Sequence, residues 1–343
     1  MERKINIDIL RIFSACMVLS VHICHITGLS FEVGAKGVQL FFILSGYLAF
    51  VSLEKNPDTG IYYKNRFNRI VPTYYLCLLI ICVSDLLFGF LTNSFSNTLI
   101  GQKSLRTARY IFFLQCIIPS DNWAIWNNYK GLWTMSSFFV FYLAAPFLHK
   151  FLKNFRGSFC FTVIMMFLTS RIAALIIRLL SVYPEISHVE DFAYMNPLTE
   201  IYCFMMGATL CLAIKENKSA FYSMVILFAL IIRDMKAFPY ECVFTVLVLI
   251  AVSFEDIVTN KKFAGIIRWI SDGTFTLYLI HPIFFDWGVY IWEKTGLRSL
   301  FNSIPVGKYV YTFYLFLFCV GFSYLIYFGI IRKAVRVRFF NLK

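Results

Sequence analysis

The sequence has 343 residues, of which 59% are apolar, 19% aromatic and only 15% charged, whereas soluble domains are about 45–50% apolar and about 25% charged. With a mean hydropathy of +0.70, this composition excludes an ordinary water-soluble globule, a disordered chain and a disulfide-stapled secreted module. Lys and Arg outnumber Asp and Glu by 32 to 19, but in so apolar a chain the cations report membrane orientation and do not imply nucleic acid. Of the cysteines, only Cys116 borders a polar stretch, and no Cys-x-x-Cys occurs. The thiols therefore read as small packing residues.

A bilayer core about 30 Å thick needs roughly 20 mostly apolar residues per spanning helix. In chain order the candidates are 7–27, 35–53, 70–91, 132–149, 158–180, 197–214, 219–233, 237–254, 273–292 and 309–331. They predict an all-α, polytopic transmembrane helical bundle of about ten spans, one domain over 1–343. The basic N-terminus and its apolar run imitate a signal peptide, but His22 and His25 interrupt the run and no small-x-small cleavage site follows, so a retained first span is expected. Between the third and fourth spans, Trp123, Trp126 and Tyr129 suit an interface, and the stretch from Tyr110 to Pro119 is a candidate to dip back into the membrane. Cations favour the N-terminus, the even-numbered loops and the C-terminus by roughly two to one, which places both termini in the cytoplasm.

Ionisable groups at membrane depth cost at least about 2.5–3.5 kcal/mol each and so need a reason. In the first span Arg11 and His22 are eleven residues apart, on one stripe of a helix and about 16 Å apart along its axis. Asp8, one turn before Arg11, can pair with it. His22 reads either as an imidazole bonded to a neighbouring helix or as a functional base. His25 reads as interfacial, and the His-x-x-His pair lacks the further ligands of a metal site. In the second span Ser45 and Gly46 mark either close helix packing or an approach of the backbone to a ligand. Arg66 and Arg69, one turn apart at the cytoplasmic start of the third span, read as positive-inside anchors or as a phosphate clamp. Arg171 lies near mid-span and is expected to face a polar cavity or a partner, whereas Arg178 on the same face can snorkel outward. In the ninth span His281 precedes Pro282, which bends a helix and frees a backbone carbonyl.

Taken in order, these motifs resemble the membrane acyltransferase 3 family. The likeness runs through Arg11 and His22, then Gly37-Val-x-x-Phe-Phe-x-x-Ser45-Gly46-Tyr47-Leu48, then Arg66-x-x-Arg69-Ile-x-Pro72. It continues with Leu132-Trp133-Thr-Met, Asn196-Pro197 to Gly207, and Ser271 to Thr276-Leu-Tyr278-Leu-Ile-His281-Pro282. The resemblance implies an integral, bacterial inner-membrane O-acyltransferase. It would move an acetyl or other small acyl group from cytoplasmic acyl-CoA to a hydroxyl of an extracytoplasmic saccharide or glycolipid. His22 would be the catalytic His with His281 beside it, and Arg11, Arg66 and Arg69 would serve the acyl-CoA. Asp8, Ser45, Tyr47, Trp133, Tyr278 and Arg171 would line the pocket. Acetyl-CoA enters as a co-substrate, and no metal or resident cofactor is expected. Two departures stand out. Many members carry a Glu five residues after the fourth-span Trp, where this sequence has Phe138. Some members also append an extracytoplasmic hydrolase-like domain, which this sequence lacks, so it is expected to act alone or with a separate partner. The rival reading is a transporter or flippase of a lipid-linked saccharide, which predicts internal repeats that the sequence does not show.

Overall fold

A computed structural model of the chain describes residues 3–93, 109–119, 131–184, 186, 188–223, 239–302, 304 and 306–335. Eleven α-helices are described: α1 Ile5–Thr27, α2 Gly37–Lys55, α3 Thr59–Leu91, α4 Thr134–Phe151, α5 Phe155–Leu180, α6 Val189–Met195, α7 Pro197–Lys215, α8 Pro239–Ser253, α9 Lys261–Lys294, α10 Leu297–Asn302 and α11 Gly307–Ile326. There are no strands among the described residues. The boundaries follow local chemistry. Asp58, Asn154, Asn196 and Asn260 cap the starts of α3, α5, α7 and α9 through their side-chain oxygens. Pro197 takes the first turn of α7, where its missing N–H costs nothing. Gly28 closes α1 in the left-handed conformation, φ 70°.

Seven helical stretches are long and apolar enough to cross a membrane, and they cover the expected spans one to six except for their exact ends, plus the tenth. The eighth expected span is the apolar but shorter α8. The ninth lies inside the 34-residue α9, whose Ser271, Asp272, Thr274, Thr276 and His281 lower its apolarity. Most of the expected span 219–233, together with Trp123, Trp126 and Tyr129, lies outside the described residues.

Two parallel helix pairs organise the interior. In the first, α2 lies against α7 so closely that a Cβ on Gly46 would run into the Phe204 carbonyl and one on Gly207 into the Ile43 carbonyl. Polar clasps close both ends of this pair. The Gln39 amide donates to Glu200 at 3.3 Å, and Lys215 pairs with Glu54, which also meets His149 Nε2 at 2.9 Å. In the second pair α1 lies along α9, and α3 and α11 flank α9. After a helical turn at 109–111, residues 112–119 run as irregular chain against α3 and α4, and side chains donate to several carbonyls of the segment. Tyr74 donates to Tyr110 O at 2.7 Å and Ser136 to Phe113 O at 2.8 Å.

Candidate active site

Membrane helices bring arginines together only where something compensates them. Here Arg11 of α1, Arg66 and Arg69 of α3, and Arg332 beyond the turn that ends α11 line one cavity of about 610 Å³. Among the described residues one carboxylate lines the cavity, Asp272, and it is already paired with Arg3 at 2.7 Å. Arg11 is steadied by Asp8 at 3.3 Å; Asp8 is fully buried and also accepts from Arg3 at 2.7 Å and from the Ser271 hydroxyl at 2.7 Å. Arg66 donates to the Leu48 carbonyl at 2.9 Å, and its guanidinium lies 5.2 Å from the Tyr62 ring and 5.1 Å from the Tyr142 ring. Among the described residues neither Arg66 nor Arg69 pairs with a carboxylate. The cavity therefore presents a surplus of forked donors, which is the chemistry of a phosphate site. Phe138 lines the wall at the position where many family members carry Glu, so the surplus is not offset there.

Three turns along α1 from Arg11, the His22 ring lies 5.4 Å from the His281 ring and 6.1 Å from Phe285. The orientation of His281 follows from its neighbour. Pro282 has no N–H to give the carbonyl four residues back, Tyr278. Nδ1 of His281 lies 2.8 Å from that oxygen and takes the missing donor's place. The proton is thereby fixed on Nδ1, leaving the Nε2 lone pair buried and, among the described residues, without a hydrogen-bond partner. Neither imidazole lines the arginine cavity. Tyr278 bridges the gap, its ring 5.5 Å from Phe41 on the cavity wall and 6.1 Å from His281.

The remaining expected site residues divide. Ser45 lines the cavity with Phe41 and Leu48, on the stripe that α2 turns toward α3 and α9. Tyr47 lies nearly opposite on the same helix, so it is buried in the apolar core and does not line the cavity. Trp133 packs 6.0 Å from Phe42 and 6.0 Å from Tyr194, also away from the cavity. Arg171 is a correction to the expected pocket lining: it lies on an exposed face of α5, where only Phe155, Ser158 and Thr162 are buried. His25 is exposed at the end of α1.

Sequence reasoning did not single out Arg332, one of the cations near the C-terminus. It also missed Glu200 and Glu241, both buried, the latter 3.3 Å from Lys36 and 3.3 Å from the Tyr202 hydroxyl. The rule that singled out His22 would have found both acids, since each lies in an expected span.

The sequence is similar to several known proteins. The chain is 24% identical over 325 residues to an O-acetyl transferase of Shigella phage Sf6, covering 90% of this chain and 89% of that protein. It is 29% identical over 122 residues to the exopolysaccharide production protein ExoZ of Rhizobium meliloti, covering 35% of this chain and 36% of ExoZ. It is 27% identical over 158 residues to the peptidoglycan O-acetyltransferase OatA of Listeria monocytogenes, covering 43% of this chain and 24% of OatA. No solved structure matches. Residues 4–328 match the family model described as an acyltransferase domain; with nearly the whole sequence inside that match, the chain belongs to the membrane acyltransferase 3 family.

Proposed function

We propose that the protein is a membrane O-acyltransferase that moves an acetyl or similarly small acyl group from acyl-CoA, bound at the arginine cavity, to a hydroxyl of a saccharide or glycolipid. One observation carries the reading: the arginine cavity and the histidine pair occupy the same stripe of α1, facing the same helix α9. Arg11, Arg66, Arg69 and Arg332 hold the nucleotide phosphates on the cytoplasmic side, an orientation that follows from the cation bias of the sequence. The pantetheine arm then runs along α1 for about 16 Å to His22, and Phe41 or Tyr278 turns aside to admit it.

At the thioester the acceptor oxygen attacks the carbonyl carbon while His22 takes the hydroxyl proton. The C–S bond then breaks and the imidazolium returns that proton to the leaving thiolate. A turn of the His22 ring brings its N–H to the open Nε2 of His281, whose proton is fixed on Nδ1, and that contact would set which nitrogen of His22 acts as base.

The test uses purified protein with radiolabelled acetyl-CoA. His22→Ala is expected to lower acyl transfer by roughly 10²–10⁴-fold, the usual contribution of a general base, with unchanged membrane insertion. Arg69→Ala is expected to raise KM for acetyl-CoA roughly ten- to a hundredfold, the scale of a charge-assisted bond, with little change in acceptor KM. A fully active His22→Ala protein would refute the assignment.

A further inference from the structure

A second cavity, of about 470 Å³, lies at the opposite end of α1, where Ile26 meets Trp292 and Glu293 of α9, Arg298, and Lys308 and Tyr311 of α11. Arg11 and Ile26 are fifteen residues apart, so the two cavities are separated by about 22 Å along one helix. Between them lie the imidazoles. Ile26 is one turn beyond His22. On α9 the stripe runs from His281 through Phe285, whose ring is 5.4 Å from His281, to Val289 and Trp292 on the cavity wall.

We infer that this second cavity seats the acceptor as a saccharide, with one hydroxyl directed toward His22; the inference rests on the acyl-transfer reading above. The lining chemistry chooses the ligand class. One wall is aromatic: the buried Trp292 is stacked between Phe301 and Tyr311, and the half-buried Tyr311 is left to meet the C–H face of a sugar ring. The other carries both signs of charge. Glu293 accepts, Arg298 and Lys308 donate, and Glu293 and Arg298 are paired at 2.5 Å. Hydroxyls both donate and accept, so a polyol matches such a wall. An acyl tail would gain nothing from these polar groups, and a phosphate headgroup would meet the Glu293 carboxylate. The volume falls within the range of about 300–1,000 Å³ typical of small-ligand sites. Donor and acceptor then approach the imidazoles from opposite ends of α1 and need not compete for one opening.

The test uses the full-length protein in detergent, labelled acetyl-CoA, and surface oligosaccharides released from cells deleted for this gene as the acceptor probe. Tyr311→Ala is expected to raise KM for the oligosaccharide roughly tenfold, and Glu293→Gln and Lys308→Gln several-fold, the scale of one lost polar contact. KM for acetyl-CoA and acceptor-free CoA release stay at wild-type values in all three, and Tyr311→Phe restores oligosaccharide use. Equilibrium binding of the labelled oligosaccharide without acetyl-CoA is expected to fall in parallel. Unchanged acceptor KM and binding in all three variants would overturn the cavity assignment while leaving the transferase intact, as would an equal rise in both KM values. Wild-type protein that binds the oligosaccharide through Tyr311 but neither binds nor cleaves acetyl-CoA would instead sink the acyl-transfer reading.

Discussion

The α2–α7 pair and the α1–α9 pair are both parallel and both interior, yet they are built on opposite rules. Across α2 and α7 glycine faces backbone, Gly46 on the Phe204 carbonyl and Gly207 on the Ile43 carbonyl, and aromatic rings fill the flanks, with Phe42 stacked 4.5 Å from Phe204. In lipid no hydrophobic force draws helices together, so close approach and dispersion must supply the adhesion. Across α1 and α9 the contacts are polar and spaced out: Asp8 with Ser271, His22 with His281, and a cavity at each end. The first interface is closed by direct packing, and the second leaves open a cavity at each end. Ser45 and Gly46 show the division within two residues of one helix, since Gly46 meets α7 while Ser45 lines the arginine cavity.

The largest effect is expected where the tight pair is opened. Gly46→Ala or Gly207→Ala places a methyl against a backbone carbonyl that no rotamer can clear. The cost is expected to reach at least the ~1–3 kcal/mol of ordinary overpacking. Both variants are expected to lower the detergent unfolding temperature and the yield of folded protein. Wild-type stability in either variant would show that α2 and α7 are not held by this contact.

Much of this division was legible in the residues. Eleven residues between Arg11 and His22 fix their common stripe whatever the tertiary fold, and the His281-Pro282 dipeptide announces a freed carbonyl beside a titratable ring. What the sequence could not supply was which helix each stripe faces. Ser45 and Tyr47 sit in one motif and look equivalent until α7 claims one side of α2 and α3 with α9 the other. Arg332 joins the arginines only because the chain turns through a π-helical segment, Tyr327–Ile331, after α11, and no local pattern signals that change of phase. Arg171 misled for a related reason. Depth in a span is readable from position, but the direction in which a residue faces depends on which helix covers it.

A middling effect separates the site's chemistry from its scaffold. Pro282→Ala gives the Tyr278 carbonyl its own helical donor, which competes with His281 Nδ1–H and removes the reason for the ring's orientation. Because misplacing a reacting group by about 1 Å can cost on the order of a hundredfold, kcat is expected to fall roughly tenfold or more. The acetyl-CoA KM should hold, because the arginine cavity lies beyond Tyr278. The substitution also restores a backbone hydrogen bond, so the unfolding temperature is expected to stay level or rise. A variant that loses stability and activity together would mean that Pro282 serves the fold and not the imidazole.

The smallest effect is expected at Arg171. Its face of α5 is exposed, and among the described residues it meets no carboxylate. It lies outside both helix pairs and both cavities. Arg171→Leu removes a charge whose burial in hydrocarbon costs about 2.5–3.5 kcal/mol on insertion scales, so membrane insertion is expected to be at least as efficient as in the wild type. Neither KM should change, because Arg171 is exposed and lines neither cavity. Equal kinetics with equal or greater stability would place Arg171 outside the site. A folded Arg171→Leu protein with impaired transfer would instead show that the outer face of α5 acts on the site, and the separation between a holding interface and a working one would have to be redrawn with α5 on the working side.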